Sequence, residues 1–269
     1  MDRNSAVGVF DSGLGGLTVV KEMLRLLPKE RIVYFGDTAR VPYGTKSRSA
    51  IVRFSRENTE LLLSRDVKMV VVACNSSSSY AIPVLKKHYP VPVLGVIEPG
   101  ARKAAAVTRN NRIGVIATAA TINSGQYTRN ILKYNPDAQV ISQPCALFVP
   151  LVEEGWLDTA ATRQIALEYL APLKEAGVDT VILGCTHYPL LREVIQRTMG
   201  TQVTLVDSAT EIAVRVRELL GRSDMLRVRG RAVPRFYVSD KPQEFGRIAK
   251  NFLGRELKAA KITQGTGHV

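Results

Sequence analysis

Two cysteines stand at the ends of apolar runs that are typical of buried strands. Cys74 follows the run 69–73 (MVVVA), and Cys185 follows the run 181–184 (VILG). Each cysteine comes directly before amide or hydroxyl side chains at the start of a predicted helix. A thiol on each side of a small substrate could take a proton from one face and return it to the other. The pair therefore predicts a site that inverts a stereocentre by proton transfer.

The residues after Cys74 suit a bound anion. Asn75 and the serines at 76–79 would place polar side chains and free backbone N–H groups at a helix N-terminus, where a carboxylate binds readily. The same helix end should favour the thiolate of Cys74, because an ordinary cysteine has a pKa of about 8.5 and a positive dipole lowers it. A buried structural cysteine at a strand end is the alternative for this segment taken alone.

The segment that begins at Cys185 adds an imidazole to the same arrangement. Thr186 supplies a hydroxyl, and His187 titrates near neutrality, so it could stabilise a thiolate or carry protons. A cysteine–histidine hydrolase is the rival interpretation. It is disfavoured because a nucleophile and a base only two residues apart do not easily pair, since such groups usually come from distant segments. The other histidines, His88 and His268, are predicted to lie on the surface and in a terminal tail.

Two further segments follow strand-like runs and could line the same site. The turn at 11–16 (DSGLGG) would present the Asp11 carboxylate, the Ser12 hydroxyl and backbone N–H groups. It lacks the third glycine of a dinucleotide fingerprint, because residue 18 is threonine, and NAD binding is therefore disfavoured. Tyr43 and Gly44 could give a hydroxyl and an N–H to an anion, although a plain connecting loop is equally consistent.

Strand-like and helical runs alternate along the chain, which is typical of parallel sheets covered by helices on both faces. Apolar runs predict strands at 7–10, 32–35, 69–73, 91–97, 113–117, 140–141, 180–183 and 203–206. Ser47 is expected to cap a long helix that ends near residue 64. After residue 207 the chain is expected to return to its first half, with a strand at 236–238 and a helix at 242–253.

Three motifs recur at nearly one spacing. The run 7–10 resembles 113–116, Cys74 corresponds to Cys185, and 95–98 corresponds loosely to 204–207. The recurrence predicts two similar α/β halves related by a pseudo-twofold axis, one made of 1–97 with 208–269 and the other of 98–207. Ligands bind at the carboxyl ends of such strands, so the two thiols would face each other across a cleft between the halves. Chance similarity among apolar strands is the alternative.

Composition limits the class of protein. The chain has 269 residues, is 45% hydrophobic and has no apolar run of the length that spans a bilayer, so a soluble cytoplasmic protein is expected. Its three cysteines show neither C-x-x-C spacing nor the density of a disulfide scaffold, and a zinc site is poorly supported. Cys145 lies away from any hydroxyl cluster and is interpreted as a packing residue. Glu153 and Glu154 form an acidic pair, of which one could face the cleft.

The formal net charge of +13 suggests an anionic partner, although a solvated basic surface explains it as well. The densest basic stretch, 222–235, could contact nucleic acid. It contains no aromatic residue and lies in no known binding motif, so it is a weak nucleic-acid site.

Five motifs, in order along the chain, are similar to the signature motifs of the glutamate racemases within the aspartate/glutamate racemase family. These motifs are Phe10–Gly16, Pro42–Gly44, Ala73–Asn75, Pro150–Gly155 and Gly184–Pro189. One position departs from the family pattern, which usually has threonine where this chain has Ser76. The hydroxyl is kept and a methyl group is lost, so binding is expected to be retained with looser packing.

The resemblance implies a racemase that uses no cofactor and no metal, acts as a homodimer, and interconverts L- and D-glutamate to supply the D-isomer for peptidoglycan. It implies that Cys185 deprotonates the L-isomer and that Cys74 deprotonates the D-isomer. Assisting catalytic roles are implied for Asp11, His187 and Glu153. Substrate-binding roles are implied for Asp11, Ser12, Tyr43, Gly44, Asn75, Ser76 and Thr186.

Two rival functions remain open from the sequence. A related racemase acting on aspartate or another amino acid would use the same pair of thiols. A basic protein that contacts DNA through Arg227, Arg229 and Arg231 is the alternative from another class, and its binding would weaken steeply with salt.

Overall fold

Two parallel β-sheets, each flanked by helices, form the fold in the computed structural model, which describes residues 2–231, 234–254 and 258–261. Neighbouring strands within each sheet run parallel, as the alternating pattern of apolar and helical runs predicts. None of the helices in these described ranges is long and apolar enough to cross a membrane.

The first sheet draws its strands from both the beginning and the end of the described chain. Its strands are β1 (Ala6–Asp11), β2 (Ile32–Gly36), β3 (Val67–Val72), β4 (Val93–Gly95), β9 (Arg235–Val238) and β10 (Ala260–Lys261), in the spatial order β10-β9-β2-β1-β3-β4. The associated helices are α1 (Leu17–Leu26), α2 (Arg48–Leu63), α3 (Asn75–Tyr80), α4 (Ile82–His88) and α12 (Pro242–Leu253). The predicted return of the chain to its first half after residue 207 is therefore confirmed.

The second sheet is built from the middle of the chain. Its strands are β5 (Arg112–Ala117), β6 (Gln139–Pro144), β7 (Thr180–Gly184) and β8 (Thr204–Asp207), in the spatial order β6-β5-β7-β8. The associated helices are α5 (Ile97–Val107), α6 (Ala119–Asn123), α7 (Gln126–Tyr134), α8 (Phe148–Glu153), α9 (Ala160–Glu175) and α10 (Arg192–Met199). A further helix, α11 (Ser208–Arg222), packs against helices of both halves. Short 3₁₀ turns occur at Tyr43–Thr45 and Tyr188–Leu191.

The central strands are apolar along their whole length because both of their faces are buried. In β1, Val7 and Val9 belong to one hydrophobic cluster, whereas Phe10 belongs to another on the opposite face. Successive side chains of a strand point to opposite faces, so a continuous apolar run covers both clusters. Helix α2 begins where the sequence predicts, since the Ser47 hydroxyl accepts a hydrogen bond from the N–H of Ala50 at 3.3 Å.

The two sheets repeat one strand order, because β6-β5-β7-β8 matches β2-β1-β3-β4. Val7 lies opposite Met69, which precedes Cys74 by five residues. In the second sheet Ile113 lies opposite Thr180, which precedes Cys185 by five residues. The predicted correspondence of 7–10 with 113–116 is thus confirmed. The third correspondence is wrong by three residues, because the register makes Gly95 equivalent to Asp207.

The predicted strand at 91–97 is shorter in the structure. β4 ends at Gly95, and Ile97 already begins α5. The N–H of Val96 donates to the Ser78 hydroxyl at 3.2 Å instead of continuing the ladder. α5 packs on α7 and on strands of the second sheet, and α11 packs on both α1 and α5. Because β9 returns to the first sheet and α11 packs on α1, we propose that one half consists of residues 1–97 and 208–269 and the other of residues 98–207.

A buried ion pair holds the segment after α11 against the first half. Lys68 Nζ donates to Glu30 Oε2 at 2.7 Å and to the carbonyl oxygens of Arg3 and Met225 at 2.7 and 2.8 Å. Glu30 Oε1 accepts the backbone N–H of Arg227 at 2.6 Å. The ammonium group therefore has a partner for each of its three protons, which is what makes a buried charge tolerable.

Replacing Glu30 with alanine should destabilise the protein strongly, because the Lys68 ammonium would stay buried without its counter-ion. We expect the free energy of unfolding to fall by about 3–5 kcal/mol in denaturant titration. The control is Glu22→Ala, which removes the partner of the exposed Arg25 and should cost at most about 1 kcal/mol. Equal losses in the two variants would contradict the importance of the buried pair.

Candidate active site

Both cysteines line one small cavity between the two halves. Cys74 lies just beyond β3 and Cys185 directly follows β7, so each stands at the carboxyl end of its strand. The cavity is lined by Ser12, Val41, Pro42, Tyr43, Gly44, Cys74, Asn75, Ser76, Thr118, Val149, Cys185, Thr186 and His187. Its volume of about 20 Å³ holds about one water molecule, so the walls must move apart to admit an amino acid.

Cys74 is buried at the first wall of the cavity. Its thiol donates to the Ser12 hydroxyl over 3.6 Å. Burial and the negative charge of Asp11 raise the pKa of Cys74 to about 11, although the Ser77 N–H and the Ser12 hydroxyl act in the opposite direction. The expectation that the helix end favours the thiolate is wrong here, because α3 has only six residues and burial outweighs it.

Cys185 stands at the opposite wall beside an imidazole. Its Sγ lies 3.8 Å from His187 Nδ1, and His187 Nε2 lies 3.1 Å from Glu153 Oε1. The close approach contradicts the expectation that residues two apart do not pair. The chain turns sharply here, since the Cys185 carbonyl accepts the N–H of Tyr188 at 3.1 Å.

His187 is held as a cation between two acidic groups. Burial disfavours its charged form, but hydrogen bonds to Cys185 and Glu153, together with the negative charges of those groups, raise its pKa to about 10. At neutral pH the ring is therefore protonated and places a positive charge beside Cys185. Glu153 reaches the ring from the end of α8 and does not itself line the cavity.

Asp11 is fully buried but does not line the cavity. Its Oδ2 accepts the N–H of Gly13 at 3.1 Å, and its Oδ1 makes no hydrogen bond to any described residue. Burial raises the pKa of Asp11, opposed by the positive charge of His187 and by backbone N–H groups of the turn. Its charge thus acts through space on Cys74 and on His187.

The glycine-rich turn of the first half lies directly against the Cys185 segment of the second. A Cβ added at Gly15 would lie 2.2 Å from Thr186 Oγ1 and 2.6 Å from His187 Nδ1. The Thr18 hydroxyl also donates to the Thr186 carbonyl at 3.1 Å. Glycine is required at position 15 because the two halves meet there without room for a side chain.

Tyr43 and Gly44 lie in the cavity wall, but the Tyr43 hydroxyl already has partners. It donates to Asp37 and accepts from Asn58 Nδ2 at 3.1 Å. Burial and the Asp37 charge raise the pKa of Tyr43, so the phenol stays neutral and its proton stays with Asp37. A substrate could therefore meet the ring of Tyr43 or the backbone of Gly44, which packs closely on Thr118.

Thr118 is a cavity residue that the sequence reasoning missed. Its Oγ1 lies 3.0 Å from Ser76 Oγ and 3.2 Å from Thr121 Oγ1, so three hydroxyls form one cluster beside the cavity. The signal was present in the repeat, because the offset that relates Val7 to Ile113 also relates Ser12 to Thr118.

The remaining candidate residues lie elsewhere. Cys145 is buried in the core and its carbonyl accepts the Tyr188 hydroxyl at 2.7 Å, which agrees with a packing role. His88 is exposed, and His268 lies outside the described residues. Over the described ranges, no group of three or more histidine, cysteine or acidic side chains could hold a metal ion.

The basic stretch 222–235 has one anchored arginine. The Arg227 side chain donates to the Lys29 carbonyl at 3.3 Å, whereas Arg229 and Arg231 are exposed. Residues 232 and 233 lie outside the described residues. Contact with DNA at this stretch remains a prediction.

Paired thiols at equivalent strand ends of two matched α/β halves are the arrangement expected of a racemase. The chain belongs to the Asp/Glu/hydantoin racemase family, whose sequence model matches residues 7–216. It is 52% identical to the glutamate racemase of Geobacter metallireducens over 253 residues, which cover 94% of each chain.

Solved structures of the same family have the same fold. The glutamate racemase of Bacillus anthracis matches with a TM-score of 0.94 at 38% identity, covering 97% of this chain and 98% of that one. The glutamate racemase of Francisella tularensis, solved with D-glutamate, matches with a TM-score of 0.92 at 38% identity, covering 98% and 99%.

Substitution Gly15→Ala should disable the site, because the new methyl group would displace Thr186 and His187. We expect kcat for racemisation to fall about 100-fold, since displacements of about 1 Å have effects of that size. The control is Gly221→Ala in the exposed end of α11, where the nearest atom to the added Cβ lies at 3.6 Å. Normal activity of Gly15→Ala would contradict the close packing of the two halves.

Proposed function

We propose that the protein interconverts L- and D-glutamate by proton transfer between Cys185 and Cys74. The observation that carries the proposal is that both thiols line a single cavity, together with hydroxyl and amide groups from both halves. The choice of glutamate is supported by relatives that bear that name at about half identity over nearly the whole chain.

In the direction from L to D, Cys185 takes the proton from the α-carbon. The cationic His187 lies beside its sulfur, with Nδ1 at 3.8 Å. Cys74 is a neutral thiol at physiological pH, because its pKa is raised to about 11, so it carries the proton that is given to the opposite face. The α-C–H bond breaks as an S–H bond forms on Cys185, and the S–H bond of Cys74 breaks as a new C–H bond forms on the opposite face, so no net proton is gained or lost.

The carbanion between these two steps needs stabilisation from the walls of the cavity. Ser76 and Thr186 supply hydroxyls, and Asn75 supplies an amide, in a space that excludes most water. Fixed donors in a dry site stabilise developing negative charge more than water does. These groups bind the carboxylate and ammonium ends of glutamate, with Ser12 and the backbone near Gly44 completing the set, while the buried Asp11 acts through its charge.

In the direction from D to L the roles exchange. Each L-to-D turnover leaves Cys185 protonated and Cys74 as the thiolate, which is the state that accepts a proton from D-glutamate. In the free enzyme the negative charge of Asp11 disfavours that state. The ammonium group of the substrate supplies a compensating positive charge when it binds between the walls.

The family resemblance supports further parts of the proposal. The D-glutamate produced would serve peptidoglycan synthesis in the cytoplasm, and the protein would act as a homodimer without a cofactor. With the proposed division, one thiol would lie on each domain, and opening of the domains would admit the substrate.

The reaction should place solvent deuterium at the α-carbon of the product. We expect L-glutamate in D₂O to give D-glutamate labelled at that carbon, measured by NMR and optical rotation, while L- and D-aspartate react far more slowly. Cys74→Ala and Cys185→Ala should each lower the racemisation rate by about 100- to 10,000-fold, because each removes a proton-transfer group.

The matched control is Cys145→Ala, which removes a buried thiol from the core but leaves the cavity unchanged. It should retain near-normal activity. Full activity in both Cys74→Ala and Cys185→Ala would exclude the two-thiol mechanism. Equal rates with aspartate would exclude the preference for glutamate.

The pH dependence should report the charge on His187. Its pKa is raised to about 10 in the folded protein, so its protonated form is present at neutral pH and is lost as the pH rises through that value. We therefore expect kcat/KM to fall on the alkaline side near this pH. The protonated His187 also contributes to the stability of the fold. This contribution is complete below about pH 6.5, the ordinary histidine pKa, and is lost as the pH rises through about 10.

Substitution Glu153→Gln removes one of the charges that hold the His187 proton. The alkaline limb of kcat/KM should then move to lower pH by about one pH unit. Glu154→Gln is the control, since Glu154 is the exposed neighbour of Glu153. An unmoved alkaline limb in Glu153→Gln would exclude His187 as the group that sets it.

A further inference from the structure

The amide of Asn75 has one satisfied end and one free end. Its side chain is 3% exposed and lines the cavity. Its Oδ1 accepts the Tyr127 hydroxyl at 2.7 Å, whereas its Nδ2 is buried and makes no hydrogen bond to any described residue. A buried donor without a partner is unfavourable and uncommon in folded proteins, so the free NH₂ group indicates a ligand atom that accepts hydrogen bonds.

Tyr127 reaches this amide from the other half of the molecule. It lies on α7 of the second half, is 2% exposed, and packs so closely on Gly184 that a Cβ there would lie 3.0 Å from its ring. Gly184 directly precedes Cys185. Through its ring Tyr127 contacts the backbone that precedes Cys185, and through its hydroxyl it bonds Asn75 at the start of α3, directly after Cys74.

The Tyr127 hydroxyl acts as a donor at all physiological pH values. Burial and the nearby acidic groups Cys185 and Asp207 raise its pKa, so the phenol keeps its proton. Asn75 can meet a phenolic proton only through its oxygen, since its nitrogen is itself a donor. The amide is thereby fixed with its NH₂ group away from Tyr127.

We propose that Tyr127 is a positioning residue, which orients the Asn75 amide so that Nδ2 donates to a carboxylate oxygen of the substrate. The opposite orientation would turn the amide oxygen toward a negatively charged group and repel it. The inference rests on the proposed function only for the identity of the substrate. Tyr127 of the second half would thereby assist substrate binding by Asn75 of the first half.

Tyr127→Phe tests the role, because it removes the hydroxyl and keeps the ring that packs on Gly184. Loss of one orienting hydrogen bond should raise KM for glutamate about tenfold, which corresponds to about 1.4 kcal/mol. Because the charge of the carbanion spreads onto an adjacent carboxylate, kcat should fall as well, but by less than the tenfold change in KM. Tyr134→Phe is the matched control on the same helix, since its hydroxyl bonds Glu98 at the surface.

A double-mutant cycle separates positioning from a general structural role. In an Asn75→Ala background, Tyr127→Phe should change KM by less than about twofold, because the amide that it orients is gone. The same tenfold factor in both backgrounds would overturn the proposal. An unchanged KM in Tyr127→Phe alone would overturn it as well.

Asn75→Asp provides a second test that leaves Tyr127 in place and does not depend on the stability of Tyr127→Phe. The aspartate keeps an oxygen for the Tyr127 hydroxyl but replaces the free NH₂ with a negatively charged oxygen. We expect KM to rise by more than about 100-fold, because an unpaired acceptor would face the carboxylate. A near-normal KM would overturn the assigned orientation. A wild-type protein inactive on glutamate would instead refute the proposed function. The variants Tyr127→Phe, Asn75→Ala and Asn75→Asp would then be compared by calorimetric measurement of D-glutamate binding.

Discussion

The chemistry of the site depends on how closely the two halves approach each other at Gly15. The turn that follows β1 lies against Thr186 and His187 with no space for even a methyl group, and both of these residues line the cavity. A space that holds about one water molecule leaves the buried charges poorly screened. The pKa values of Cys74 and His187 are displaced strongly for this reason, because neither group has access to bulk solvent.

The repeat gives two sulfurs equivalent positions but different surroundings. Cys74 shares its side of the cavity with the carboxylate of Asp11, which favours the neutral thiol, whereas Cys185 lies beside the cation of His187. The two thiols therefore differ in their electrostatic surroundings before any substrate binds. The asymmetry arises from side chains at the ends of strands, while the order β2-β1-β3-β4 in the first sheet matches β6-β5-β7-β8 in the second.

The sequence predicts the central strands well, because strands buried on both faces are continuously apolar, and it predicts the cavity residues that adjoin the two cysteines. It does not predict the full length of β6, an edge strand whose Ser142 is exposed, since its polar residues hide the pattern. Tyr127 carries no local signal either, because its contact with Asn75 arises only when the halves pack. The protonation of Cys74 is predicted wrongly because its burial, together with the charge of Asp11 from a distant segment, raises its pKa and outweighs the end of the short helix α3.

The order of elements along the chain also constrains how the molecule is made. β9 pairs with β2, and Phe252 of α12 lies edge-on against the His187 ring at a centroid distance of 5.9 Å. Both cysteines leave the ribosome well before these elements are synthesised. A nascent chain that has folded its first two hundred or so residues thus exposes the edge of β2 and one face of the imidazole. The surroundings of β2 and His187 are complete only once β9 and α12 have been synthesised, so a product interrupted before them cannot have its full architecture.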